Sequence, residues 1–330
     1  MSKHQKVTIK RDNGEIVAGI APVIITASRS TDIPGLYGDW FVNRLQKGYV
    51  AWRNPFSGQI QYISFEKTRC IVFWTKNPAP FVKHVKTIER MGIGTLFQVT
   101  VNDYEVEKLE MNIPSLQKRI DSVIELSHII GKEKVLWRFD PLILSEKISI
   151  CELLKKIARV GDEVYSHVGR LTISFLSPYK KVVRNLKSLG IHEISQMDKL
   201  MIASGIGDLN ARWNLPLYSC AEPQDLSKYG IYHGSCVDAS LIANCFSSDS
   251  SLKRFLKINT SVDLFGNEIK KIGLEKDRGQ RKECGCCLSK DIGMYDTCSH
   301  GCLYCYANAS PVKAMHSKLS NSDGEFIKVY

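Results

Sequence analysis

The sequence predicts an α/β fold, a partial or complete parallel β/α barrel of the TIM type, followed by a cysteine-rich C-terminal module. Three observations carry that expectation. Short apolar runs rich in β-branched and aromatic residues alternate with amphipathic stretches through the first two-thirds of the chain. No G-x-G-x-x-G turn follows the first run, which argues against an open dinucleotide-binding sheet. Six of the eleven cysteines fall between positions 284 and 305, too dense for scattered core thiols.

The runs are PVIITAS (22–28), CIVFWTK (70–76), TLFQVTVND (95–103), KVLWRFDP (134–141), RLTISFLSP (170–178) and LPLYSCAE (215–222). Each reads as a strand buried on both faces. The stretches 79–92, 113–131, 148–161 and 192–207 carry apolar residues at three- and four-residue steps, the stripe a helix needs to cover a sheet. Segments 49–53 and 59–65 read as a hairpin inserted after the first helix. The expected organisation is a body over 1–245, a basic connecting segment over 246–283 and the cysteine-rich module over 284–330.

In parallel β/α architectures the C-terminal strand ends form one rim where ligands bind. Polar residues stand at those ends, among them Arg29, Ser30, Asp32, Asn102, Asp103 and Glu222, with helix capping an equally good use for Ser30 and Asp32. Lys76, Arg138 and Asp140 are the candidate catalytic residues, because a charge just inside a strand end needs a partner or a ligand.

At 330 residues and 44% hydrophobic content the chain can bury a large core. No secretory segment opens it, and its longest uncharged apolar run is too short to span a bilayer, so a cytoplasmic protein without membrane association is expected. In that compartment eleven cysteines point to metal or redox chemistry rather than disulfides. The net charge of +11, with basic runs at 179–187 and 269–282, favours a polyanionic substrate or partner such as nucleic acid.

The cysteines admit two readings. Cys284–Cys287 and Cys302–Cys305 are both C-x2-C hooks that could close a zinc site, and a zinc-stabilised nucleic-acid-binding protein follows from that. It leaves Cys286 and Cys298 unused and does not account for the C-x3-C-x2-C triplet Cys298, Cys302 and Cys305. Cys220, Cys236, Cys284 and Cys286 could hold a second iron–sulfur cluster or a zinc ion that ties the module to the body, with Cys287 an equal candidate to Cys286. Cys70, Cys151 and Cys245 read as packed core.

CSHGCLYC (298–305) resembles the cluster loop of radical S-adenosylmethionine enzymes. The resemblance implies that Cys298, Cys302 and Cys305 ligate three irons of a 4Fe-4S cluster and leave the fourth iron open for S-adenosylmethionine. It also implies Tyr304 as the neighbour of the adenine, a 5′-deoxyadenosyl radical as the product of cleavage, and flavodoxin or ferredoxin as reductant. An electron-transfer iron–sulfur protein is the alternative use of the same loop. Over nearly the whole chain, in ASRSTDIP, FWTKNP, WRFDP, CAEPQDLSKYGI and DIGMYDTCSHGCLYCYAN, the sequence is similar to a prokaryotic family defined as a domain of unknown function. Spore photoproduct lyase is a more distant likeness, in the cluster loop. Radical enzymes ordinarily carry this loop after the first barrel strand, whereas here it comes last.

Overall fold

The computed structural model describes residues 4–177, 182, 186, 189–262, 268–273, 276–277, 280–308, 314 and 324–327. Its centre is an eight-stranded sheet formed by β1 (Ile24–Ala27), β2 (Cys70–Thr75), β3 (Gly94–Thr100), β4 (Val135–Leu142), β5 (Arg170–Phe175), β6 (Leu217–Cys220), β7 (Ile231–Gly234) and β8 (Lys290–Asp291). The strands lie side by side in the order β7-β6-β5-β4-β3-β2-β1-β8, and every pair is parallel. All six expected strands are present. Their apolar runs bury both faces: every residue of β1 and β5 is buried, as are all but one in β2.

The connections carry α1 (Gly38–Lys47) and the four helices that the periodicity predicts: α2 (Val82–Arg90), α3 (Leu116–Ile130), α4 (Ile150–Val164) and α5 (Gln196–Trp213). Ser149 caps α4, and Ser195 and Asp198 form a reciprocal capping box on α5. Phe41 of α1 meets Phe73 of β2 edge-on at 5.5 Å, and Phe73 stacks on Phe97 of β3 at 4.8 Å, which fastens helix to sheet.

Among the described residues no ladder joins β7 to β8, so the sheet does not close into a complete barrel there. Both edges are short, four residues and two. The segment that leads into β8 instead meets the segment that leaves β7 through a single backbone bond, Cys287 N–H to the Val237 carbonyl at 3.0 Å.

The hairpin at Tyr49–Arg53 and Ile60–Ser64 is present as expected, and it joins a second hairpin, Gln5–Lys10 with Ile16–Ala21, in a four-stranded sheet. That N-terminal hairpin was not foreseen, although Asn13-Gly14 is the dipeptide such a turn demands and Gly14 has φ +86°. The C-terminal residues 324–327 return to this sheet: the Trp40 indole donates to the Gly324 carbonyl at 2.8 Å, and Arg11 pairs with Glu325 at 2.8 Å. Helix Ala239–Cys245 ends the expected body, and in the connecting segment helix Ser250–Leu256 precedes a hairpin at Ile258–Val262 and Glu268–Ile272. Most of the basic run at 179–187 lies outside the described residues, as do 274–275 and 278–279 of the run at 269–282.

Candidate functional site

The tail after β8 docks on the rim above β1. Ile292 N–H donates to the Thr26 carbonyl at 3.1 Å and extends the ladder by one bond. Gly293 is needed next, since a Cβ there would stand 1.7 Å from Ser28 Oγ. Thr31 Oγ1 lies 2.7 Å from Thr297 Oγ1 and donates to the Met294 carbonyl at 2.6 Å, so buried hydroxyls fix the approach to the cysteine loop.

The loop itself, 298–305, is held from two sides. On the first, His300 Nε2 lies 2.6 Å from Asp32 Oδ2, both side chains buried. Asp32 also caps the short helix Ile33–Leu36 by accepting from Gly35 N–H, and it accepts from Lys76 N–H at 2.8 Å. Its expected use as a cap and its expected place on the rim are therefore both realised. On the second side, Glu110 and Cys302 form an isolated antiparallel bridge, Leu303 N–H donates to the Leu109 carbonyl at 3.0 Å, and Asn112 N–H donates to the His300 carbonyl at 2.9 Å. Gly301, at φ +69°, supplies the turn between them.

Beneath Cys302 lies a buried charge network. Lys76 Nζ is 2.7 Å from Glu110 Oε1, and Arg119 Nη1 is 3.5 Å from Glu110 Oε2. The same carboxylate accepts from Asn102 Nδ2 at 2.9 Å and from the Tyr304 hydroxyl. Burial opposes charge on Glu110, but Lys76 and Arg119 outweigh it and hold the carboxyl below its ordinary value. Tyr304 thus stands among these groups, with the Lys76 ammonium 5.5 Å from its ring centre.

Cys298, Cys302 and Cys305 come from this one loop, and each thiol lies within electrostatic reach of the other two. Burial pushes Cys298 up to about 12, with Asp32 adding to it, and pushes Cys302 well above the ordinary thiol value against the pull of Lys76. Among the described residues no three His, Cys, Asp or Glu side chains already converge as a metal-ion cage. His300 Nδ1 and Glu110 Oε2 are buried with no hydrogen-bond partner among the described residues.

The three candidate catalytic residues separate. Lys76 belongs to the loop site. Arg138 and Asp140 pair with each other at 2.6 Å on β4, two strands away, and Arg138 Nη1 reaches Cys236 Sγ at 3.2 Å. Asn102 connects the two places: its Oδ1 accepts from Asp140 N–H and its Nδ2 donates to Glu110, both at 2.9 Å. Cys220 and Cys236 lie beside Arg138, and Cys286 and Cys284 follow on from Cys236 near Arg29, whereas Cys287 lies beside Cys70 and Asp238. Cys286 rather than Cys287 thus neighbours the other three cysteines.

The other expected rim residues are engaged structurally: Asp103 with Arg159 at 3.3 Å, Glu222 with Lys199 at 3.0 Å. Cys70 is packed as expected and Cys245 partly so, but Cys151 is exposed because the second residue of α4 faces solvent. Glu110, Arg119 and His300 were not foreseen as partners of the site. Glu110 stands in an irregular loop with no periodicity, and the reach of His300 to Asp32 spans 268 positions. No helix among the described residues is long and apolar enough to cross a membrane.

No curated protein matches the chain. Residues 24–307 match the family model for a domain of unknown function, DUF1848, from the first strand of the large sheet through the whole cysteine loop, and the chain belongs to that family.

Proposed function

We propose that this protein is an iron–sulfur enzyme of the radical S-adenosylmethionine type, in which Cys298, Cys302 and Cys305 ligate a 4Fe-4S cluster beside the C-terminal ends of β1, β2 and β3. When bound, such a cluster supplies the single electron that cleaves S-adenosylmethionine and releases a 5′-deoxyadenosyl radical, with flavodoxin or ferredoxin as the source of that electron.

The observation that carries this reading is the docking of the last loop of the chain onto the strand-end rim through two buried contacts, His300 with Asp32 and Tyr304 with Glu110. A loop that comes last in the chain thereby stands over the first strands of the sheet, where radical enzymes carry theirs. Buried polar atoms are ordinarily bonded, so His300 Nδ1, without a hydrogen-bond partner among the described residues, fits a site that takes a polar cosubstrate.

The residues of the chain then have distinct tasks. Asp32 and His300 fix one flank of the loop. Glu110 keeps Lys76 charged and in place, and Lys76 sets a positive charge beside Cys302 that favours its thiolate. Tyr304 offers an aromatic face to an adenine, and Arg138 with Asp140 extends the polar rim toward the substrate. The net charge of +11 fits a phosphorylated or nucleic-acid substrate.

Anaerobic reconstitution with iron and sulfide, followed by reduction in the presence of S-adenosylmethionine, tests this. Formation of 5′-deoxyadenosine that disappears in Cys302→Ala is the expected result. A cluster that yields no 5′-deoxyadenosine would instead make the protein an electron carrier, and a colourless protein holding zinc at these three cysteines would remove the iron–sulfur assignment.

A further inference from the structure

A second group of thiols lies apart from the loop and from everything the proposed reaction uses. Cys220 ends β6, Cys236 follows β7, and Cys284 and Cys286 precede β8, so four thiols from three segments meet at the open seam of the sheet. Cys220 Sγ and Cys236 Sγ are 3.3 Å apart, and Cys286 lies within electrostatic reach of both Cys236 and Cys284. The thiols thus follow one another in a row, and no three yet converge on a point.

Four features distinguish this row from packed core cysteines. Its members neighbour one another, with Cys220 and Cys236 in direct sulfur contact, where inert thiols pack as scattered hydrophobes. Val237 N–H points at Cys286 Sγ at 3.3 Å, a backbone donor aimed at sulfur. Arg138 Nη1 donates to Cys236 Sγ at 3.2 Å, and the Arg29 guanidinium lies within electrostatic reach of Cys286 and Cys236. The counter-charges of the two guanidiniums, Asp140 at 2.6 Å from Arg138 and Asp291 at 3.8 Å from Arg29, both keep some solvent exposure.

We infer that Cys220, Cys236, Cys284 and Cys286 form a tetrathiolate site for one zinc-class divalent ion that clasps the two edges of the large sheet together. A tetrahedral ion with bonds of about 2.3 Å sets its sulfurs about 3.8 Å apart. The Cys220–Cys236 pair needs only a small expansion to reach that spacing, which favours a single ion over the wider cube. Binding exchanges four S–H protons, released to solvent, for four metal–sulfur bonds. The site then carries a net charge of −2, and Arg29 and Arg138 face it as the two nearest cations. The clasp would join the segment after β7 to the segment before β8, adding to the Cys287–Val237 backbone bond and the Val237–Cys286 contact already there. It would also fix the start of the tail that carries the cysteine loop.

The test uses the full chain with Cys298, Cys302 and Cys305 all replaced by alanine, so that the loop cluster cannot form and its failure cannot be confused with failure of the clasp. Under anaerobic, thiol-reducing conditions, titration with cobalt(II) should saturate at one equivalent with sulfur-to-cobalt charge-transfer bands and the d–d pattern of a tetrahedral ion. X-ray absorption of the zinc form should show four sulfurs at about 2.3 Å. Cys220→Ser and Cys284→Ser should each reduce the sulfur number, and Cys287→Ser should leave the spectrum unchanged. In the unaltered chain, zinc should protect Cys220, Cys236, Cys284 and Cys286 from alkylation as read by mass spectrometry, an observation that needs no variant to fold. Equal alkylation with and without zinc, a spectrum unaffected by Cys220→Ser, iron with inorganic sulfide at these four residues, or a Cys220–Cys236 disulfide under those conditions would overturn the assignment.

Discussion

Glu110 is the residue on which the loop site turns. Its carboxylate is buried against Lys76, Arg119, Asn102 and Tyr304, so its removal leaves two buried cations without their partner. Replacing one member of a buried pair costs about 3–5 kcal/mol. Glu110→Ala is therefore expected to lower unfolding stability by roughly that amount in urea titration, and Lys76→Met combined with it should cost less than the sum of the two single changes. A second residue-scale prediction concerns Lys290 on β8, whose ammonium lies 3.3 Å over the Trp52 ring. Burial lowers it to about 8, with Asp291 pulling the other way. Between that value and the ordinary 10.5 the unfolded chain binds the proton and the folded chain does not, so stability rises with pH through this window. Below pH 8 the charged form costs stability. Lys290→Met should accordingly be more stable than the parent at pH 7, by about 1–2 kcal/mol after loss of the cation–π contact, and the gain should shrink by pH 10.5 in denaturant titrations. A gain that is equal at both pH values would show that the proton plays no part.

At the scale of elements, the tail depends on close backbone approach to the turn after β1. Gly293 leaves no room for a methyl group against Ser28. Gly293→Ala should cost about 1–3 kcal/mol through overpacking, and it should expose the tail to proteolysis. Adding Ser28→Gly should recover part of the loss, a coupling that a double-mutant cycle would register. Which elements were legible follows from how each is buried. β1 to β6 are enclosed on both faces, so their sequences are continuous apolar runs, and α2 to α5 carry one-sided stripes. β7 and β8 escaped notice for the opposite reason. Two middle residues of β7, Tyr232 and His233, are exposed, and β8 is the charged pair Lys290 and Asp291. Both become strands only because an edge of the sheet is there to receive them. The N-terminal hairpin announced itself through Asn13-Gly14, but its strands lack a long apolar run.

For the whole molecule, the decisive fact is that the C-terminal loop and the strand-end rim occupy one place. The spacing of Cys298, Cys302 and Cys305 was visible in the sequence, and so was Lys76 at a strand end. Their meeting was not, because it rests on contacts such as Glu110 with Tyr304, 194 positions apart, whose partners no local pattern names. Likewise Arg138 and Asp140 were legible as buried charges, but only the fold assigns them to the thiols of Cys220 and Cys236. The large sheet stays open, and the cysteine-bearing segments lie where a barrel would have closed. The central claim is that the loop thiols hold a cluster with one iron free for S-adenosylmethionine. The measurement that meets it most directly is electron paramagnetic resonance of the reduced, reconstituted protein with and without S-adenosylmethionine labelled at its amino and carboxylate groups. The account predicts a 4Fe-4S signal that shifts on addition, couples to the label and is lost in Cys302→Ala. A signal indifferent to S-adenosylmethionine, or one that survives removal of Cys298, Cys302 and Cys305, would contradict it.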